Sequence, residues 1–260
     1  MRNFKVRINI FLHELIFNII NSSDYIKGRL FKNKVISKWI SIDPKKTFRG
    51  NFPKNDEFSF IQIGGNDGVS FDFLHSEVVM RKSKGIIVEP SPKYFKELAN
   101  NYKGFPNIRL IRKAIFKNNS SIELYELNDK GLKKIPNWGK GIGSINKKHL
   151  SSKNLLDEDF DVFIVDGITF MDLVSMYPEF MEVDYLQIDT EGYDFEILKL
   201  IDFSRFKCDF IRYEKANLNE EDKNQSEDLL RKHGYQIIGD QYDNFCLKSH
   251  LSYKIKYSRN

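Results

Sequence analysis

The sequence predicts an α/β protein in which a mostly parallel β-sheet carries helices on both faces. Three observations predict it. From Phe58 onward, short apolar runs of strand length alternate with stretches of helical periodicity, the rhythm of repeated strand–helix units. Several of those runs end in glycine or an acid (Gly64-Gly65, Glu89, Asp189), and such sheets bind ligands at the carboxyl ends of their strands. A hydrophobic content of 41% with 14% aromatics over 260 residues fills one large core and excludes overall disorder.

Residues 1–54 read as a basic helical arm outside the main domain, which spans 55–260. The stripe of Val6, Ile10, Leu12, Leu15, Ile16, Ile19 and Ile20 has helical spacing. Asn21 to Asp24 is a break, and Tyr25 to Ile40 a second, shorter helix. Two turn signals, Ser41-Ile-Asp-Pro44 and Gly50-Asn-Phe-Pro53, close the arm. It holds 12 Lys and Arg against 3 Asp and Glu, an excess of +9, while the body has 29 against 33. The basic charge therefore sits on the arm, and a mildly acidic body argues against nucleic acid as a partner. A basic amphipathic helix either covers one edge of the core and shows its lysines to water, or makes peripheral contact with an anionic membrane surface or a partner.

Within the body, Phe58–Ile63 reads as a buried strand, followed by the loop Gly64-Gly-Asn-Asp-Gly68 and a helix running to about Met80. Gly85–Glu89 is the second strand, and Ser91-Pro92 is a cap followed by proline at the first helical position. Ile108–Ile115 is a third strand, and Ser121–Leu127 an added antiparallel one. Residues 128–160 form a long irregular excursion, which inside a compact domain is usually functional or mobile. Asp161–Val165, Asp184–Asp189, Asp209–Tyr213, Tyr235–Ile238 and Phe245–Leu247 supply later strands, with helices near 169–177, 193–200 and 219–233.

Three strand ends carry chemistry. Gly64, Gly65, Asn66 and Gly68 allow a tight turn and close approach of a ligand, with a helix start offering free N–H groups beyond. A dinucleotide fingerprint would place glycine at 66 and 69, where Asn66 and Val69 stand, so a nicotinamide cofactor is disfavoured. Glu89, twenty-one residues after Gly68, is placed to accept two hydrogen bonds from a ribose diol. Asp189 and Glu191 are two apart at a strand end and share a cleft if the extended conformation persists through Thr190. There one can deprotonate or orient a hydroxyl while the other binds substrate.

The segments IQIGGNDG, IIVEPSP and YLQIDTEGYDFEIL, in this order, resemble the FkbM family of S-adenosylmethionine-dependent methyltransferases over about residues 58 to 248. That pattern runs as a glycine-rich loop, Glu-Pro, then Lys-Ile-Asp-Val-Glu-Gly and a helix. The chain departs from it at Gln62 (usually Asp), at Gly65-Asn66 (usually Ala-Asn) and at Gln187 (usually Lys). The resemblance implies a Rossmann-like class I methyltransferase fold with a seven-stranded sheet and S-adenosylmethionine as cofactor. It implies that Gly64, Gly65, Asn66, Gly68, Glu89 and Asp189 bind the cofactor, and that Asp189 and Glu191 are catalytic. Ser144 and Asn146 belong to a glycine–serine segment that some members place over the site. With His149, Tyr193 and Glu214 they form the expected acceptor side. No metal is demanded. Asp166, Asp189, Glu191 and Glu214 could hold a hard cation only if they converge.

The expected activity is methyl transfer to a sugar hydroxyl of a bacterial surface glycan or glycosylated metabolite, the sugar being a family-level implication. Methylation of a non-carbohydrate hydroxyl or a phosphoramidate-type group is the alternative enzyme, and a silent nucleoside-binding module the alternative class. No apolar stretch reaches the ~18–20 residues of a membrane span, and the apolar run from Ile8 lacks a cleavage site for a signal peptide. Cys208 and Cys246 cannot build a disulfide framework and read as core residues. The expected location is the cytoplasm, at the inner face of the membrane if the arm binds lipid.

Overall fold

The computed structural model describes residues 40–54, 56–70, 73–135, 143–145 and 155–257. The two expected arm helices lie outside the described residues, apart from Ile40. The described chain begins with β1 (Ile40–Ile42) and α1 (Pro44–Asn51). It continues through β2 (Glu57–Ile63), α2 (Leu74–Val79), β3 (Lys82–Val88), α3 (Pro92–Asn101) and β4 (Ile108–Ile111). Next come β5 (Ala114–Ile115), β6 (Ser121–Leu127), α4 (Asp129–Leu132), β7 (Gly143–Ser144) and β8 (Phe160–Ile168). The rest comprises α5 (Phe170–Met176), β9 (Glu182–Ile188), α6 (Asp194–Lys199), β10 (Lys207–Glu214) and α7 (Glu220–Lys232). It ends with β11 (Tyr235–Gly239), β12 (Asp243–Lys248) and β13 (Ile255–Tyr257).

Seven strands form the main sheet in the order β11-β12-β10-β9-β2-β3-β4. It is parallel from β10 to β4, and β12 runs antiparallel to both of its neighbours. Alternate residues feed two cores. Phe60, Tyr185 and Phe210 face Phe48, Leu74 and Leu98 from α1, α2 and α3. Ile61, Leu186 and Ile211 face Phe170, Leu198 and Leu230 from α5, α6 and α7. The expected α/β sheet with helices on both faces is therefore observed. Strand order reverses between β2 and β9, so a crevice opens at their carboxyl ends.

Several local expectations are corrected. Ser41-Ile-Asp-Pro44 starts a helix rather than a turn: Asp43 caps α1 by accepting from the Lys46 N–H at 2.9 Å, with Pro44 at the first position. Phe48 on that helix is fully buried against Phe58 and Tyr185, so residues 40–54 pack into the same core as the body. The helix expected right after Gly68 begins only at Leu74. The Asp67 carboxylate takes the N–H groups of Val69 and Ser70 at 2.9 and 2.7 Å, a local turn that competes with helix formation.

The third strand is divided. Ile108–Ile111 stays in the main sheet, while Ala114–Ile115 crosses to a four-stranded sheet of order β5-β8-β6-β7. The segment expected at Asp161–Val165 runs from Phe160 to Ile168 in that second sheet, antiparallel to the whole of β6. Within the excursion, the described residues hold α4, β7 and a short 3₁₀ turn at Asp157–Asp159. Among the described residues no helix is long and apolar enough to cross a membrane.

Candidate active site

A cavity of about 230 Å³ opens at the carboxyl ends of β2, β3 and β9, roofed by β6 and β7 of the second sheet. Gly64, Gly65, Asn66, Glu89, Asp189, Glu191 and Tyr193 line it, so the three strand ends singled out in the sequence converge. Gly64 is at φ +82°, and a β-carbon there would meet the Asp189 carbonyl oxygen at 1.7 Å, so no other residue fits. The N–H groups of Gly64 and Gly65 both donate to the Val88 carbonyl at 3.0 Å. They hold the loop to β3. Gly68 does not line the cavity; it packs against Leu98 and Tyr102.

Glu89 follows β3 and is 7% exposed. It accepts from the Asn66 N–H at 2.7 Å through Oε2 and from the Ser91 N–H at 2.8 Å through Oε1. Burial nevertheless pushes its carboxyl up to about 7, these two hydrogen bonds opposing and nearby Glu126 adding to the rise. Ser91 in turn caps α3 by accepting from the Tyr94 N–H at 3.1 Å.

Asp189 and Glu191 share the cavity, but not by extended geometry. β9 ends at Ile188, and Glu191 sits at φ +52°, a left-handed conformation unusual for a side chain larger than glycine. Three side chains hold the turn. The buried Asp194 carboxylate accepts from Thr190 Oγ1 at 2.9 Å, Gly192 N at 3.3 Å and Glu214 N at 3.2 Å. Ser144 Oγ donates to the Glu191 carbonyl at 3.2 Å. Asn217 Nδ2 donates to both Glu191 Oε2 and Glu214 Oε2, at 2.8 and 2.9 Å.

Burial, then neighbouring Asp194 and Glu191, hold the Asp189 carboxyl well above the usual carboxylate range, against the pull of Arg212. Glu214 is pushed up to about 9 by burial and by Asp189, and Asp194 to about 6 by burial.

Ser144 and Glu214 stand behind the wall rather than in it: Ser144 pins the Glu191 turn, and Glu214 joins it through Asn217. Asn146 and His149 lie outside the described residues. Tyr193 lines the cavity and stacks on Phe116 with ring centres 5.7 Å apart, and burial raises its hydroxyl to about 12. Asp166 does not converge with the other acids; it is exposed and paired with Lys113 at 3.6 Å. Among the described residues no group of three His, Cys, Asp or Glu side chains is arranged to hold a metal.

Sequence reading missed Glu126, Arg212 and Asn217. Glu126 had a signal, since it follows Ile122 and Leu124 on the inward-facing alternation of β6. Arg212 and Asn217 had none, because only β-sheet pairing and the β10–α7 connection bring them to β9.

A family model described as "Methyltransferase FkbM domain" matches residues 62–237. A comparison with curated proteins gives no match. Among solved structures, an FkbM methyltransferase from Methylobacillus flagellatus KT is similar at 13% identity and TM-score 0.45, covering 76% of this chain and 45% of that one. A precorrin-6y C5,15-methyltransferase from Geobacter metallireducens GS-15 matches at 13% identity and TM-score 0.39, covering 84% and 92%. Aeropyrum pernix fibrillarin with natively bound S-adenosyl-L-methionine matches at 12% identity and TM-score 0.40, covering 75% and 69%. The family match spans both the glycine loop and the Asp189–Gly192 turn, and the chain belongs to the FkbM family of S-adenosylmethionine-dependent methyltransferases.

Proposed function

We propose that this methyltransferase acts on a sugar hydroxyl, in a bacterial surface glycan or a glycosylated metabolite. The carrying observation is that one cavity holds both a buried carboxylate of ribose-binding type, Glu89, and the carboxylate pair Asp189 and Glu191. A pocket that only bound a nucleoside has no use for the second set.

The residues present fit the cofactor. Each Glu89 oxygen accepts one backbone N–H and keeps a further lone pair for a ribose hydroxyl. When bound, S-adenosylmethionine supplies a methyl group on a positively charged sulfur, which leaves as a neutral thioether. Asp189 accepts the proton of the acceptor hydroxyl as the oxygen–methyl bond forms, and burial beside Asp194 and Glu191 raises its basicity for that task. Glu191, fixed by Asn217 and Ser144, binds and orients the acceptor. The Tyr193 ring, backed by Phe116, offers a flat apolar wall to the carbon face of a sugar ring.

The test is methyl transfer from isotopically labelled S-adenosylmethionine to a panel of neutral glycans and non-sugar alcohols. A methyl on a sugar oxygen, located by mass spectrometry, supports the reading. Methylation confined to non-sugar acceptors overturns the sugar. A thermal shift with NAD and none with S-adenosylhomocysteine overturns the cofactor pocket. In this reading the acceptor is met in the cytoplasm, and retention of the full chain on anionic vesicles at low salt tests peripheral membrane contact through the arm.

A further inference from the structure

Glu126 presents an oddity that the proposed chemistry leaves unused. It is 4% exposed, lies on β6 two residues from Leu124, and lines the same cavity as Glu89. Its Oε1 has no hydrogen-bond partner, one of three such buried side-chain atoms among the described residues. Leaving a buried acceptor unpaired is costly, and such an atom in a ligand cavity points to a donor that arrives with the ligand. The neighbourhood narrows the choice of donor. Ser91 lies beside both acids, giving its N–H to Glu89 at 2.8 Å while its hydroxyl draws the Glu126 carboxyl down. Glu126 is therefore on the Glu89 side of the cavity, next to the turn Glu89-Pro90-Ser91, rather than part of the cluster around Asp189. Among the described residues, Lys93 is the cation that acts on its carboxyl.

We infer that Glu126 is a second nucleoside-recognition carboxylate, whose Oε1 accepts a hydrogen bond from a donor on the adenosine half of the cofactor. This rests on the reading of Glu89 as the ribose-side acid. It gives the second sheet a role: β6 carries the residue that closes the nucleoside subsite from the face opposite the glycine loop. Two groups of adenosine offer the required donor, a ribose hydroxyl and the exocyclic amine.

The experiment is calorimetric titration of the full chain with S-adenosylhomocysteine, for wild type, Glu89→Ala, Glu126→Ala and Glu126→Gln. Melting curves establish that each variant is folded, and the isosteric Gln variant serves if the Ala variant is not. Losing one partner of a charge-assisted hydrogen bond should weaken binding roughly tenfold to a hundredfold in Glu126→Ala, with a smaller loss in Glu126→Gln. Two analogues identify the donor: one lacking the exocyclic amine and one lacking the ribose 2′-hydroxyl. The analogue missing the true donor should bind wild type more weakly and lose nothing further in Glu126→Ala. Unchanged affinity in folded Glu126 variants, with Glu89→Ala weakened, overturns the inference and leaves the Glu89 reading standing. Failure of wild type to bind S-adenosylhomocysteine overturns both. A Glu126 variant that binds normally but raises only the acceptor's KM moves Glu126 to the acceptor side and also overturns it.

Discussion

Gln62 on β2 and Gln187 on β9 are register partners at the carboxyl end of the two central strands. They are 3% and 2% exposed, and Arg212 on β10 is in register with Gln187 on its other side. The family pattern this chain resembles has Asp and Lys at these two positions. The two departures therefore fall side by side, as a neutral amide pair on the same face of the sheet. Arg212 then reaches Gln187 Oε1 at 3.4 Å and pairs with Asp243 at 2.9 Å. Gln62→Asp or Gln187→Lys alone should bury an uncompensated charge and destabilise the fold by about 3–5 kcal/mol. The double variant should recover much of that loss, and denaturant titration of all four proteins reads the coupling.

Glu89→Ala should weaken cofactor binding roughly tenfold to a hundredfold, because a carboxylate accepting two hydroxyl donors is lost. In wild type the effect has a pH signature. Glu89 titrates near 7, and the ribose hydroxyls favour its ionised form, so affinity should rise as pH rises through that value, with protons released on binding. Glu89→Gln should flatten this dependence, as calorimetry in buffers of different ionisation heat would show. An unaltered profile assigns the proton elsewhere.

Asp189→Asn keeps the shape of the side chain but not its basicity, so single-turnover transfer should slow by ~10²–10⁴-fold while cofactor affinity scarcely moves. Glu191 is one of the charges that raise Asp189, so Glu191→Gln should shift the acid limb of the rate profile to lower pH. It should also raise the acceptor's KM. An acid limb that stays in place would separate the two carboxylates.

The acidic cluster should make the ligand-free protein less stable as pH rises. Glu214 ionises near 4.5 when unfolded but holds its proton to about 9 when folded, so the unfolded state binds fewer protons between these values. The stabilisation is complete below the lower value and fades as pH climbs toward the upper one. Glu214→Gln retains an acceptor for Asn217 without the charge, so it should raise Tm at about pH 8 and change it little at about pH 5. Equal shifts at both pH values would place the effect in packing instead.

Phe48 lies fully buried among Phe52, Phe58, Phe73 and Tyr185. Phe48→Ala should cost about 3–5 kcal/mol, the usual range for a buried aromatic. A chain beginning at Asn51 should be similarly destabilised, whereas one beginning at Ile40 keeps this contact. Full stability of the shorter chain in thermal melts would show that α1 contributes little.

What the sequence determined by itself was whatever local chemistry dictates. Strand runs such as Phe58–Ile63, the cap and proline at Ser91-Pro92, and the turn glycines Gly64 and Gly192 are signals confined to a few neighbouring residues. The strand ends with Glu89 and Asp189 followed from that order, since a parallel sheet brings all its carboxyl ends to one edge. Local signals also misled where two structures share one signature. Asp43-Pro44 reads equally as turn or helix start, and burial of Phe48 decides for the helix. Tertiary structure alone decided which distant groups meet: Gln62 with Gln187, Asn217 with Glu191, and Glu126 of the second sheet with the Glu89 side of the cavity. The physical reason is that sheet order and crossovers set those pairings through the burial of whole faces, and no single residue along the chain encodes them.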